Sequence, residues 1–211
     1  MDSRIRGIRA VAFDCDGVMF DTTRANRTYY NRVLAHFGQP PMNEEQFLYV
    51  HAHTGEESIA YLFQETELIA AADIFRRSMG YAQFLPMMEI EPHLKPLLKW
   101  LRPRYKTAVA TNRMDTMPRV LETFGLTALF DCVVTALDVP KPKPRPDALF
   151  KVADHLGLTP AEILYIGDSM VDAEASRAAG MLFAAYDNPD LPAQAHVQHL
   201  SQVRGLIGSE S

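Results

Sequence analysis

Ala10-Val11-Ala12-Phe13-Asp14-Cys15-Asp16-Gly17-Val18 is the stretch from which the fold is read. An apolar run stops abruptly at two carboxylates one residue apart, followed by a glycine. A continuous apolar run, as opposed to an alternating one, fits a strand buried on both faces within a parallel sheet. Positions i and i+2 of an extended chain point the same way, about 6.6 Å apart. Asp14 and Asp16 are therefore expected to face one pocket at the strand's end, with Cys15 turned away into the core. Two like charges that close need a cation or a proton between them. Nucleophilic catalysis uses such a pair, one acid ionised to attack and the other moving a proton. A strand-end turn or helix cap uses the same residues.

Outward from this stretch, similar apolar or β-branched runs occur at 107–111, 131–135, 163–167 and 182–185. They lie about 20–30 residues apart, room for a crossover helix each time. Such helices are expected over 116–124, 146–156 and 169–179, closed by Gly125, Gly157 and Gly180, glycine being the usual stop signal. The predicted fold class is α/β, a doubly wound parallel sheet. One interval breaks the rhythm. Between Asp14 and Thr107 no convincing strand is read, but amphipathic helical stretches lie near 25–37, 44–51, 56–63 and 68–84. Residues 22–89 are thus predicted to form an all-helical domain inserted after the first strand, with 1–21 and 90–211 forming the α/β core. Ligand sites in such sheets lie at the strands' C-terminal ends, so this insertion is expected to cover the site as a lid. The polar tail beyond Asn188 has room for one short strand or helix within 197–207, and its last few residues are expected to be loose.

Three further motifs carry chemistry. Gly167-Asp168-Ser169-x-x-Asp172 ends another buried run, with Asp172 one helical turn beyond Asp168. Hard cations such as Mg²⁺ want carboxylate oxygens, although Ser169 or Asp168 could equally cap the next helix. Thr107 to Thr111-Asn112 is a strand ending in a hydroxyl, followed by amides free to meet an oxyanion. As an isolated threonine this is an ordinary turn residue. Lys141-Pro142-Lys143-Pro144-Arg145-Pro146-Asp147 has the composition of a proline-rich linker, but it sits inside the domain, where the prolines would stiffen a loop and aim a lysine. Lys143 is then placed to neutralise phosphate charge.

The 211 residues are 47% hydrophobic and 22% charged, with a formal net charge of -5. That excludes a global basic field for nucleic acid or an anionic membrane, so no nucleic-acid or membrane partner is expected. Two cysteines make neither a disulfide framework nor a zinc spacing. No signal peptide and no run of roughly 20 apolar residues is read, and a cytoplasmic location is expected.

The four motifs in this order, Asp14-x-Asp16, Thr111, Lys143 and Gly167-Asp168-Ser169-x-x-Asp172, resemble those of the haloacid dehalogenase superfamily over nearly all of residues 8–187. The helical insertion resembles the cap of its phosphoglycolate phosphatase-like and β-phosphoglucomutase-like members. Lys143 fits the family's Lys-Pro-x-Pro-Asp pattern better than Lys141. The resemblance implies a Mg²⁺-dependent phosphatase of a small phosphorylated metabolite. Asp14 would attack phosphorus, Asp16 would serve as acid and then base, and Thr111 and Lys143 would hold the phosphoryl oxygens. Asp14, Asp16 (through its carbonyl) and Asp168 would bind Mg²⁺, with Asp172 supporting them or adding a ligand. Asp16 argues for an oxygen leaving group over halide, since dehalogenases lack an acid there. The absence of lysine from 22–94 argues against the imine chemistry of related phosphonate hydrolases. A sugar phosphomutase is the alternative enzyme, and a non-enzymatic phosphoacceptor or binding protein the alternative class. Substrate choice is expected from the lid, at His51, His53 and Thr54, where a helical run breaks at Gly55, and at Arg24, which shares a helix face with Arg27, and from Asn112 and Arg113 on the core.

Overall fold

A computed structural model describes residues 5–208. The expectation of a loose C-terminal end falls on 209–211, outside the described residues. The chain begins with β1 (Ala10–Phe13), a short β2 (Phe20–Asp21), and then four helices: α1 (Thr23–His36), α2 (Glu44–Ala52), α3 (Gly55–Leu62) and α4 (Thr66–Met79). A 3₁₀ turn over Ala82–Met87 leads to β3 (Glu89–Ile90) and α5 (Leu94–Leu101). Strand then alternates with helix: β4 (Lys106–Ala110), α6 (Met117–Thr123), β5 (Cys132–Val134), α7 (Asp147–Leu156), β6 (Ile163–Gly167), α8 (Met170–Ala179) and β7 (Leu182–Tyr186). β8 (Ala195–Val197) and α9 (Val203–Ile207) complete it, so the tail contains both a strand and a helix.

Six strands form one parallel sheet in the order β5-β4-β1-β6-β7-β8. Every residue of β1 and β6 is buried, as apolar runs without alternation require. One face packs α5, α6 and α9 through Leu98, Met117 and Val203; the other packs α7 and α8 through Leu149, Val152 and Ala175. On α5 the spacing Leu94, Leu97, Leu98, Leu101 puts four leucines on one stripe, all fully buried. Each such burial is worth about 1.5–3 kcal/mol, and Leu98→Ala would cost about 2–5 kcal/mol.

The register positions the site. Phe13 lies level with Val109 on one side and Ile166 on the other. The residues just beyond these, Asp14, Thr111 and Asp168, therefore emerge together at the C-terminal edge of three neighbouring strands.

The interval from Asp14 to Thr107 differs from the expectation in one respect. β2 and β3 pair antiparallel, Phe20 with Ile90 and Asp21 with Glu89. Two residues a side are too short to show an alternating pattern, so the sequence hides this pairing. It closes the base of the helical segment, bringing its entry and exit together. No helix among the described residues is long and apolar enough to cross a membrane.

Candidate active site

The loop after β1 is built by its own backbone. Asp14 N donates to Ile166 O at 2.9 Å, and Met19 N and Phe20 N both donate to Cys15 O. Gly17 sits at φ +79, and a Cβ there would lie 2.0 Å from Asp168 Oδ2. Glycine is thus required twice over, for the left-handed conformation and for the close approach of the second acid. Cys15 is fully buried in the core, and burial, with the nearby Asp16 charge, pushes its thiol well up.

Asp14, Asp168 and Asp172 bring carboxylate oxygens within 4.8 Å of one another. Lys143 is fully buried beside them, its Nζ 2.8 Å from Asp14 Oδ1 and 2.6 Å from Asp172 Oδ1. Lys141 is exposed, so Lys143 is the residue aimed at the acids. Burial alone would lower its pKa, but Asp14 and Asp172 hold it above the ordinary lysine value.

Asp172 is committed elsewhere. Its Oδ1 takes Lys143 and the Tyr165 hydroxyl, at 2.8 Å, and its Oδ2 takes the Ser169 hydroxyl and amide. Burial would raise its pKa, yet the Lys143 charge and these donors bring it below the usual range. The helix-cap alternative read for Ser169 is also realised: its side chain accepts from Asp172 N in a capping box.

Asp14 and Asp168 stand in the opposite condition. Burial, then the charges of neighbouring acids, raises both carboxyls above their ordinary value, more than Lys143 can offset. Asp14 Oδ1 is buried without a well-aligned hydrogen bond, its near neighbour being the Lys143 ammonium at 2.8 Å. An orphaned buried oxygen and a second acid with excess negative charge, all hard donors, fit a divalent cation such as Mg²⁺. Asp14 and Asp168 would hold it, and Asp172 would brace Lys143.

Asp16 turns toward Arg113, which grips it twice: Nε to Oδ2 at 3.0 Å and Nη2 to Oδ1 at 2.6 Å. The guanidinium also lies 4.7 Å over the Tyr81 ring. Burial opposes the charge on Asp16, but Arg113 prevails and its pKa falls to about 2. Arg113 was expected to meet substrate. In this arrangement it meets Asp16 and keeps it ionised, a state suited to a base; acting as an acid requires Arg113 to let go.

Thr111 is buried, its amide donating to Val134 O and its hydroxyl accepting from Arg113 N. Asn112, expected to bind substrate, uses its amide as a clamp. Nδ2 donates to Ala52 O and Lys143 O, and Oδ1 accepts from Lys143 N. It ties the end of α2 and the lysine loop to the sheet edge.

A cavity of about 260 Å³ opens above the acids, walled on its far side by the helical segment. His51 lies in this wall, 4.0 Å from Asp168 Oδ2 through Nε2; burial lowers its pKa. His53 also lines the cavity, but its ring stacks on Tyr49 and its Nδ1–H donates to Tyr49 O. Two expected residues are not brought in. Thr54 is buried as the N-cap of α3, accepting from Glu57 N. Arg24 is exposed on α1 away from the cavity, and Arg27 on the same helix pairs with Glu44.

The wall includes residues that the sequence reading missed. Asn26 reaches both Asp16 Oδ1 and His51 Nδ1 at 3.4 Å and accepts from the Tyr81 hydroxyl. Tyr29, Tyr30 and Arg76 also face the cavity. One signal was available: Asn26 lies on the stripe of α1 that buries Ala25, Tyr29, Tyr30, Val33 and Leu34, and a polar residue on an apolar face calls for a partner.

The comparisons with known proteins agree with this geometry. A model of the haloacid dehalogenase-like hydrolases matches residues 11–186. "Phosphoglycolate phosphatase 1" of Pseudomonas aeruginosa is 31% identical over 190 residues, covering 84% of this chain and 68% of that protein. A HAD-superfamily hydrolase of subfamily IA from Geobacter sulfurreducens superposes with a TM-score of 0.78 at 37% identity, over 99% of this chain and 100% of that one. β-Phosphoglucomutase of Clostridium difficile shares the fold, with a TM-score of 0.80 at 21% identity and 93% coverage of each chain. With acids from two adjacent strands meeting a buried lysine, and a match that spans most of its length, the chain belongs to the haloacid dehalogenase-like hydrolases.

Proposed function

We propose that the protein is a Mg²⁺-dependent phosphatase that hydrolyses a small phosphomonoester in two steps through a phosphate carried on Asp14. The observation that carries this reading is the meeting of Asp14 and Asp168 oxygens within 4.8 Å, against Lys143 and beneath an open cavity.

Asp14 attacks phosphorus through a carboxylate oxygen; the new O–P bond forms as the bond to the leaving oxygen breaks. Asp16, once Arg113 has let go, takes up a proton from water in the cavity and passes it to the leaving oxygen. Asp16 next removes a proton from water, which attacks phosphorus and frees Asp14. Lys143 neutralises Asp14 before attack and the phosphoryl oxygens after it, while Thr111 donates its hydroxyl to a phosphoryl oxygen. A bound Mg²⁺ would supply charge neutralisation and hold the phosphoryl group in line. The helical segment covers the site and excludes bulk water.

The test is phosphate release from a panel of small phosphomonoesters, with Mg²⁺ and then with EDTA. Release that needs the metal, and a base-labile protein-bound phosphate in acid-quenched samples, is the expected result. Turnover indifferent to EDTA would remove the metal from the reading. Isomerised sugar phosphate without free phosphate would replace the phosphatase with a mutase.

A further inference from the structure

Arg76 is chemically out of place on its helix. α4 is mostly solvent-facing, with only Ala72 and Arg76 buried along its length. Taking a guanidinium out of water costs several kcal/mol unless its donors are used. Asp73, one turn back on the same helix, satisfies part of it: Nε and Nη2 both donate to Asp73 Oδ1. Among the described residues no second carboxylate reaches the guanidinium, although the Tyr29 hydroxyl interacts with it; Nη1 is the nitrogen left outside the Asp73 pairing. It lies across Gly55, where a Cβ would come within 2.5 Å of it, and both residues line the cavity. The Tyr29 hydroxyl donates to Arg76 O and fixes the end of the helix.

The other cationic side chains around the cavity are engaged. Arg113 spends Nε and Nη2 on Asp16 and Nη1 on Thr116. Lys143 stands between Asp14 and Asp172. Arg77, largely exposed, pairs with Asp73 and Glu56. Asp73 is thus shared between two arginines and cannot fully neutralise Arg76. The cavity, at about 260 Å³, is smaller than a typical drug-sized pocket of about 300–1,000 Å³. It suits a phosphoryl group with a short leaving group. The wall from 22 to 94 has no lysine, so its contribution to the leaving group is electrostatic. A guanidinium only partly compensated, with one nitrogen outside its carboxylate pair, matches a single planar carboxylate.

We propose that Arg76, laid over Gly55 in the helical wall of the cavity, is a specificity-determining anion subsite that receives the carboxylate of a short hydroxy-acid phosphomonoester. This rests on the phosphatase reading and names the substrate class for it.

The experiment compares phosphoglycolate with ethyl phosphate, which has the same number of carbons and no carboxylate. It uses the wild type, Arg76→Met and Arg76→Lys, reading both kcat/KM for phosphate release and the thermal shift each ligand produces. The wild type should favour phosphoglycolate by about tenfold or more. Arg76→Met should lose that preference, mainly through KM, and handle ethyl phosphate within about threefold of wild type. Arg76→Lys should recover part of it, because the charge returns without the planar fork. Equal loss on both substrates would make Arg76 a structural residue and overturn the proposal, as would a wild type without preference. If no variant releases phosphate, the phosphatase reading falls, and the thermal shifts decide the subsite by themselves. A phosphoglycolate shift confined to the wild type and Arg76→Lys upholds it, and equal or absent shifts in all three proteins overturn it.

Discussion

The floor and the wall of the cavity are made on different principles. On the floor, Asp14 and Asp168 are set by neighbouring strand ends in fixed register, Asp172 by the first turn of α8 and Lys143 by the proline-rich loop, and their charges act on one another at contact distance. In the wall, Asn26, His51 and Arg76 come from three separate helices: Asn26 and His51 reach down to Asp16 and Asp168, and Arg76 is held by Asp73 on its own helix. The floor is rigid and electrostatically unfinished, as Asp14 and Asp168 carry more negative charge than Lys143 balances. The wall is electrostatically almost complete and varies mainly in what it presents. Such a division lets chemistry stay constant while recognition changes.

The largest effect expected is at the floor. Asp14→Asn should reduce phosphate release by about 10³-fold or more, while thermal stability holds or rises, because burial, and then the charges of Asp172 and Asp16, disfavour an ionised Asp14 more than Lys143 supports it. Near-native turnover would refute the nucleophile and erase the proposed division.

Second comes the pair that joins floor to wall. Arg113→Gln leaves the Asp16 charge buried and unpaired, at a cost of about 3–5 kcal/mol in denaturant unfolding at neutral pH. Asp16 has its folded-state pKa depressed from 3.8 to about 2. The stabilisation is therefore full above the unfolded value and lost as pH falls through the folded one. The difference between wild type and variant should be largest at neutral pH and shrink as pH falls toward about 2. A difference independent of pH across that window would show that Arg113 acts by packing, not by charge.

Within the wall, His51 and His53 are expected to separate. His51→Ala should shift KM about three- to tenfold and reorder substrates, since it is close to Asp168 and Asn26. His53→Ala should stay within about twofold, its ring being spent on Tyr49. Equal effects would mean that the stacked ring leaves Tyr49 when substrate binds. The smallest effects belong to two residues that the structure keeps out of the cavity. Thr54→Ala should cost about 1 kcal/mol of stability through the lost cap, with substrate ranking unchanged. Arg24→Ala should leave both alone, and altered ranking would return it to the site.

The legibility of the two regions differs for the same reason that their construction does. Asp14 and Asp168 announce themselves because each sits where a buried run breaks into polar residues, and Lys143 because prolines flank it on both sides, all local events in the chain. The same reading put Thr54 in the site, because a helical stretch breaks at Gly55; that break is real, but it is a helix start whose cap needs Thr54. Arg24 was read from a shared helix face with Arg27, and which face turns inward depends on what α1 packs against. Arg76 lay unnoticed among ordinary helix residues.

From its order of residues alone, this chain determines the parallel sheet, the strand ends that carry acids, and the loop that aims Lys143, since apolar runs and their interruptions are written in adjacent positions. Tertiary structure decided that Asp172 braces Lys143, that Arg113 grips Asp16, that Asn112 clamps two segments, and that Arg76 reaches the cavity. Those pairings join side chains far apart in sequence. Their geometry follows from how helices dock over a sheet edge, which local periodicity does not encode.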